Sequence, residues 1–188
     1  IMAKVDMHCH SDHSNLLDRW FYYKMGAKEC YTRPEQLYRY CKNRGMDFVT
    51  ITDHDTIQGG LELAQKHRDF FTSCEFTVHF FSEEIDVHVC AYDLDEAQFA
   101  MGRKLSGDVR EFAAYFREEN VLTSVAHPFH SFGVEWKPQH LEQLVLLFEN
   151  FEERNGLLMD SINELQREYL DKLSPDMIES YVARHKIV

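Results

Sequence analysis

The chain has 188 residues, of which 44% are hydrophobic and 28% charged, a balance typical of a globular domain and not of a disordered or fibrous chain. Its formal net charge of -12 argues against nucleic acid as the partner, because nucleic-acid binders normally carry a basic surface. Five cysteines without a CxxC pair, and the lack of an apolar run of about 18 residues, predict a cytoplasmic protein with neither a disulfide framework nor a membrane span.

Short apolar runs alternate with helical patterns along the chain, which is typical of repeated βα units around a parallel sheet or barrel. The apolar runs predict strands at Lys4 to His8, Phe48 to Thr52, Phe70 to Cys74, Val87 to Tyr92, Leu122 to Ala126 and Leu144 to Phe151. Helical spacing and start signals predict helices at Pro34 to Asn43, Thr56 to Lys66, Asp108 to Glu119, Leu157 to Leu173 and from Ser174 onward. No repeat or linker divides the chain, so we expect one domain over residues 1–188.

Eleven histidines stand out, since a chain of this length carries roughly four on ordinary usage. His8 and His10 end the first apolar run. Residues two apart in extended chain point to the same face, so both rings can bind one metal ion. His54 lies between two aspartates after the run Phe48 to Ile51. These carboxylates can orient its imidazole, and the same segment can cap the helix that follows.

Three further polar residues interrupt or end the later apolar runs. Glu75 ends the third run, where a carboxylate can bridge two cations through its two oxygens. His88 lies inside the fourth run, and His127 ends the fifth, just before Pro128. Parallel βα barrels gather their functional residues at the carboxyl ends of the strands. Imidazole and carboxylate ligands without a thiolate set suit zinc, manganese or iron.

These motifs resemble, in order and spacing, those of the polymerase and histidinol phosphatase (PHP) family. The matching segments are Asp6 to Ser11 (DMHCHS), Ile51 to Thr56 (ITDHDT), Glu75, Val87 to Val89 (VHV) and Ala126 to Pro128 (AHP). The resemblance implies an α/β fold, a distorted (β/α)7-type barrel that here lacks its C-terminal strand, with two or three divalent metal ions.

The resemblance also implies roles for individual residues. His8, His10 and Glu75 would hold one metal ion, and Glu75 would bridge to a second ion held with His88 and His127. His54 would belong to a third position. Glu75, His54 and His127 would also take part in catalysis.

Three departures from the family pattern concern the same site. Asn15 stands where the family usually has an aspartate ligand, and Phe129 and His130 follow His127-Pro128 where the family often has an arginine. The family's final Asp-x-His motif is absent, which suggests that the chain is C-terminally incomplete.

The segments Trp20 to Tyr31 and Phe148 to Gly156 resemble a subgroup found beside bacterial glycosyltransferase genes.

Candidates for contact with substrate are His130, Arg154 and Arg19. Arg19 lies in the aromatic-rich segment Asn15 to Tyr31, which either forms one wall of a pocket or serves packing alone. We expect four other histidines to lie outside the site, at the surface or in packing. They are His67, His79, His140 and His185.

The implied activity is hydrolysis of a small phosphorylated substrate, in which a metal-activated hydroxide attacks phosphorus. A non-catalytic metal-binding module with the PHP fold, acting in regulation or as a scaffold, is the first alternative. An amidohydrolase-type C–N hydrolase is the second, because those enzymes also begin with HxH on a first barrel strand. The TDHDT and AHP segments argue against the second alternative.

Overall fold

The computed structural model describes residues 2–14, 29–80, 83, 85–129 and 136–187 of the chain. In these ranges three strands form one sheet in the order β1-β2-β3, namely β1 (Ser73–His79), β2 (Asp86–Tyr92) and β3 (Thr123–Val125). The helices there are α1 (Pro34–Asn43), α2 (Gln58–Ala64), α3 (Glu96–Leu105), α4 (Val109–Glu118), α5 (Pro138–Leu147), α6 (Asp160–Asp171) and α7 (Pro175–His185). The α/β class is therefore confirmed, whereas the barrel stays a prediction.

The chain divides into two compact units. The first comprises Ile1–Thr77 and Cys90–Lys104, and the second comprises Val78–Val89 and Leu105–Val188. The single domain over residues 1–188 stays a prediction. Among the helices of the described ranges, none combines the length and the apolar character needed to cross a membrane.

The core of the first unit includes α1, α2 and the extended segments beside them. Pro34 lies in the first turn of α1, where its missing N–H costs no helical hydrogen bond. Helix α1 packs against α2. Apolar side chains from these elements are shielded from water together, and this burial stabilises the unit. They are Cys41, Val49, Ile51, Leu63 and Phe70.

Three extended segments of the first unit are joined by backbone contacts. The segment with residues 4–9 contacts residues 47–52 through hydrogen bonds, one of which runs from Thr52 N to Cys9 O at 2.8 Å. Two isolated parallel bridges connect the later segments, Val49 with Phe70 and His54 with Glu75. The histidine-bearing ends of these segments therefore meet at one edge.

The core of the second unit is built largely from α4 and α5. Asp108 precedes α4, and its carboxylate accepts a hydrogen bond from Arg110 N at 2.8 Å, which satisfies one of the helix's unpaired N–H groups. Phe112 and Phe116 lie one helical turn apart on the buried face of α4, with ring centroids 4.7 Å apart. Helix α5 contacts both α4 and α7.

The predicted strand at Leu144 to Phe151 is wrong, because residues up to Leu147 belong to α5. A short apolar run fits a buried helix as well as a buried strand, and periodicity does not separate the two. Features at the start of α5 favour the helix. Pro138 lies in its first turn, and the ring of the buried His140 accepts a hydrogen bond from Lys137 N at 3.0 Å.

The other predicted elements differ mainly in their bounds. Helices α1, α4 and α7 match their predictions closely, whereas α3 was not predicted. Strand β1 begins at Ser73 and continues to His79, well beyond the predicted end at Cys74. The segments Lys4 to His8 and Phe48 to Thr52 are not regular strands of the sheet.

Candidate metal centre

Three imidazole nitrogens of the first unit surround one carboxylate oxygen. The oxygen is Oε2 of Glu75, on β1, and the side chain of Glu75 is 0% exposed. It lies 2.9 Å from Nε2 of His8, 3.1 Å from Nε2 of His10 and 3.2 Å from Nε2 of His54. The Nε2 atoms of His8 and His10 are themselves 3.1 Å apart. We call these four residues the Glu75 cluster.

Alternation along the first segment presents His8 and His10 together. Cys9, between them, packs against the apolar core of the unit, as expected from the two-residue period of extended chain. His54 is placed by its parallel bridge to Glu75, and Asp55 N donates to Glu75 O at 2.9 Å in the same register. Backbone pairing therefore brings the ligand-bearing segments together.

The two aspartates beside His54 fix the surrounding backbone. Asp53 is buried and accepts hydrogen bonds from Ser11, from N at 2.5 Å and from Oγ at 2.6 Å. Burial raises the pKa of Asp53, although the bonds from Ser11 act to lower it. Asp55 has a positive φ of 57° and accepts from Thr77 N at 3.1 Å, and it also pairs with Arg103 on α3. Both carboxylates thus hold segments that carry histidines of the Glu75 cluster.

The hydroxyl of Ser14 contacts both His10 and His54. Its Oγ accepts from His54 N at 2.9 Å and lies 3.3 Å from His10 Nδ1, and it is also hydrogen-bonded to Glu29. A hydroxyl has one proton and two acceptor lone pairs, so Ser14 Oγ has the capacity to accept from His10 Nδ1–H as well as from His54 N. When the proton of His10 is on Nδ1, Nε2 faces Glu75 with the lone pair that a metal ion requires.

Glu29 was not identified from the sequence. Its Oε1 lies 3.4 Å from His54 Nε2. Burial works against its charge, but hydrogen bonds from His54 and Ser14 prevail and lower the pKa of Glu29 to about 2. It lies in an irregular segment with no apolar run or recognisable motif beside it, so the sequence contained no signal for it.

His88 and His127 lie together in the second unit. Their ring centroids are 5.2 Å apart and their planes meet at 75°. His127 has a positive φ of 28°, and its N–H donates to Oε2 of Glu152 at 2.8 Å. Asn155 donates from its side chain to both oxygens of Glu152, at 3.1 and 3.2 Å. Like Glu29, Glu152 contacts a predicted ligand and was not identified from the sequence. Convergence of all six predicted ligands on one cavity stays a prediction.

The second unit contains a cavity of about 390 Å³, and its lining includes Pro128 and Phe129, which come directly after His127 in the chain. Its walls are mostly aromatic and apolar, and Glu142 and Lys137 supply charge at its lining. Such a composition suits the organic part of a small molecule. The apolar and aromatic lining residues among those described are Pro128, Phe129, Trp136, Pro138, Leu141, Tyr169 and Tyr181.

The remaining predicted contacts lie elsewhere. Asn15, Arg19 and His130 lie outside the described residues. The side chain of Arg154 is 78% exposed, and its Nη2 is 3.5 Å from Asp160 Oδ1. Its role in binding phosphate stays a prediction.

The four histidines expected outside the site each contact a carboxylate of their own. The distances range from 2.6 to 3.1 Å, which is the range of hydrogen-bonded ion pairs. Within the described ranges, none belongs to a group of three metal-competent side chains. The pairs are His67 with Glu35, His79 with Asp86, His140 with Glu83 and His185 with Glu142.

The donor set of the Glu75 cluster fits a divalent metal ion. Ligand atoms that share one zinc ion at about 2.0–2.2 Å lie roughly 3–3.5 Å from one another. The mutual distances among His8 Nε2, His10 Nε2 and Glu75 Oε2 are 2.9, 3.1 and 3.1 Å. The spacing of these three atoms is therefore close to that of ligands around one divalent ion.

No protein-family model matches the chain. An uncharacterized protein of Methanocaldococcus jannaschii, MJ1587, is 31% identical over 67 residues, which cover 36% of this chain and 37% of that protein. The match therefore spans well under half of the relative.

Two solved structures resemble the whole chain. An amidohydrolase from Chromobacterium violaceum, with bound sulfate and no metal, has a TM-score of 0.64 and 14% identity, and the match covers 98% of this chain and 84% of that one. A candidate metal-dependent phosphoesterase from Bifidobacterium adolescentis has a TM-score of 0.61 and 14% identity, with 100% and 85% covered. At this identity the likeness concerns the fold, which this chain shares with proteins described as hydrolases.

Proposed function

We propose that this protein is a metal-dependent phosphoesterase that hydrolyses a small phosphate ester. The observation that carries the proposal is the convergence of three imidazole nitrogens on one oxygen of the buried Glu75 carboxylate, at 2.9 to 3.2 Å. A buried carboxylate needs compensating positive charge, and divalent cations bound by imidazole and carboxylate supply it.

The residues of the Glu75 cluster would hold the ion in defined roles. His8 and His10 present Nε2 lone pairs, and Glu75 adds the negative charge. When bound, a divalent ion supplies Lewis acidity toward a phosphoryl oxygen and activates water at neutral pH. Ser14 keeps the proton of His10 on Nδ1, so that Nε2 stays available as a ligand.

Orientation of these side chains depends on the residues behind them. Asp53 holds the backbone and hydroxyl of Ser11, next to His10 in the chain. Asp55 holds its own strained backbone conformation, next to His54, through Thr77 and Arg103. Partners of this kind typically contribute about 10–100-fold in metal affinity or activity.

Charge favours a small anionic ester as the substrate. A net charge of -12 disfavours a long polyanion, yet bound divalent ions make a local site positive.

Cleavage of an amide is the second candidate function. The Chromobacterium structure with a TM-score of 0.64 is an amidohydrolase, and the same donor types hold the metal ions in both kinds of chemistry. The direct comparison is a substrate panel of aryl phosphate monoesters and diesters against N-acyl amino acids and cyclic amides. Turnover of the amides alone would replace the phosphoesterase proposal.

The proposal is tested with the full chain, stripped by chelation and reloaded separately with zinc, manganese or iron. We expect hydrolysis of an aryl phosphate to require metal. Glu75→Gln should lower it at least about 100-fold, because the amide keeps the shape but removes the charge that binds the cation.

The matched control is Glu35→Gln. Glu35 also pairs with a histidine, His67 Nε2 at 3.1 Å, but lies outside the Glu75 cluster, so its activity should equal that of the wild type. Activity that survives full chelation would contradict the proposal. A metal-loaded wild type that is inert toward the whole panel would favour a non-catalytic module instead.

A further inference from the structure

Glu29 contacts the Glu75 cluster and has no role in the proposed function so far. Its Oε1 lies 3.4 Å from the same nitrogen of His54, Nε2, that lies 3.2 Å from Glu75 Oε2. The side chain of Glu29 is 24% exposed, and the residue as a whole is exposed to solvent. One imidazole nitrogen therefore lies between two carboxylates that belong to different segments of the chain.

The ligand atoms of the first unit fall into two overlapping groups. One group contains His8, His10 and Glu75, and the other contains His10, Glu29 and His54. Within each group the atoms lie within 4.8 Å of one another. Each group is thus small enough to surround one ion, and each contains one carboxylate.

Charge explains why a second carboxylate matters. Two divalent ions bring four positive charges into a largely buried volume, and Glu75 alone offsets one of them. Ions held this close repel one another strongly when water is excluded. Glu29 offsets a second charge, and it does so beside His54.

We propose that Glu29 is a metal ligand that, together with His54, holds a second divalent cation beside the ion bound by His8, His10 and Glu75. This inference rests on the metal site of the proposed function and adds a ligand to it. If Glu29 only forms an ion pair with His54, its removal leaves the number of bound metal ions unchanged. Counting the ions therefore distinguishes a metal ligand from an ion-pair partner.

The experiment counts ions rather than turnovers. The full-length wild type, Glu29→Gln and Glu35→Gln are each dialysed against buffered free zinc, and zinc per chain is measured by mass spectrometry. We expect Glu29→Gln to hold one ion fewer than the wild type and Glu35→Gln to hold the same number. Glu35 is the matched control because it too is a carboxylate paired with a histidine.

A second measurement does not depend on any variant. Anomalous diffraction at the zinc edge from wild-type crystals should show a peak within bonding distance of Glu29 and His54. Glu29→Gln with the full number of ions at unchanged affinity, or no peak beside Glu29, would overturn the inference.

Failure of this inference can be told apart from failure of the proposed function. A wild type that binds both ions but cleaves no phosphate ester would contradict the proposed function alone. An active wild type whose Glu29→Gln variant keeps every ion would contradict this inference alone.

Discussion

Two shielded glutamates, one in each unit, are neutralised in different ways. In the second unit, Glu142 on α5 contacts one basic group with each oxygen: Arg184 with Oε1, and His185 with Oε2 at 2.6 Å. Both partners come from α7. In the first unit, a single oxygen of Glu75 faces the ring nitrogens of His8, His10 and His54.

The difference distinguishes an ion pair from the proposed metal site. A carboxylate saturated by protein cations takes one donor on each oxygen, as Glu142 does, and the contacts hold two helices together. At Glu75, by contrast, three imidazole nitrogens converge on one oxygen, at 2.9 to 3.2 Å. A count of histidines near a carboxylate therefore means little, whereas the number of nitrogens that converge on one oxygen is informative.

The largest expected effect is a difference between variants of the two glutamates in how much zinc raises the free energy of unfolding. Zinc at about 1,000 times its dissociation constant should raise the free energy of unfolding of the wild type by about 4 kcal/mol. Glu142→Gln should keep this increase and Glu75→Gln should lose most of it, as measured by urea unfolding with and without zinc. An equal loss in both variants would contradict the comparison.

A smaller effect concerns the ion pair in the absence of metal. Glu142→Gln should lower the free energy of unfolding by about 1–3 kcal/mol, because it removes the charge between Arg184 and His185. The loss of a partner from a fully buried pair costs about 3–5 kcal/mol. Arg184 is 56% exposed, so solvent screens part of the interaction.

The control for this stability measurement is Glu168→Gln. Glu168 pairs with Lys172 at 3.2 Å on the exposed face of α6, and its removal should cost less than about 0.5 kcal/mol. If both variants lose the same stability, Glu142 is an ordinary surface charge.

The smallest expected effect tests how the Glu75 cluster is prepared for metal. Ser14→Ala should weaken zinc binding about 10-fold, because His10 loses the acceptor that keeps its proton on Nδ1. Titration against a competing chelator measures the affinity. Ser174→Ala is the matched control, since its hydroxyl caps α7 through Met177 N and its loss should leave zinc affinity unchanged. Equal affinity in all three proteins would exclude this role for Ser14.

Much of the Glu75 cluster could be predicted from the sequence because its residues follow apolar runs. His8, His10, His54 and Glu75 each stand at or near the end of such a run, and pairing of the runs brings the ends together. Glu29 could not be predicted in this way. It comes from an irregular segment, where position depends on tertiary contacts and not on a local period.

The elements predicted least well have ambiguous local patterns. The run at Leu144 is apolar enough for either structure, and the turn at Pro138 selects the helix. Helix α3 was missed because its apolar pattern is weak: Met101 is exposed, and Gly102 is a buried residue without a side chain. Helices α4 and α7 have clear side-chain caps, Asp108 and Ser174, and these were predicted well.

The contact between His8 and Glu75 also bears on the order in which the protein folds. It joins residues 67 positions apart, so a large loop must close before the two groups meet. His8 and His10, only two residues apart, are already neighbours in the unfolded chain. A metal ion can therefore bind this pair before the protein has folded. Binding to the unfolded chain reduces the stability that the ion gives to the folded state.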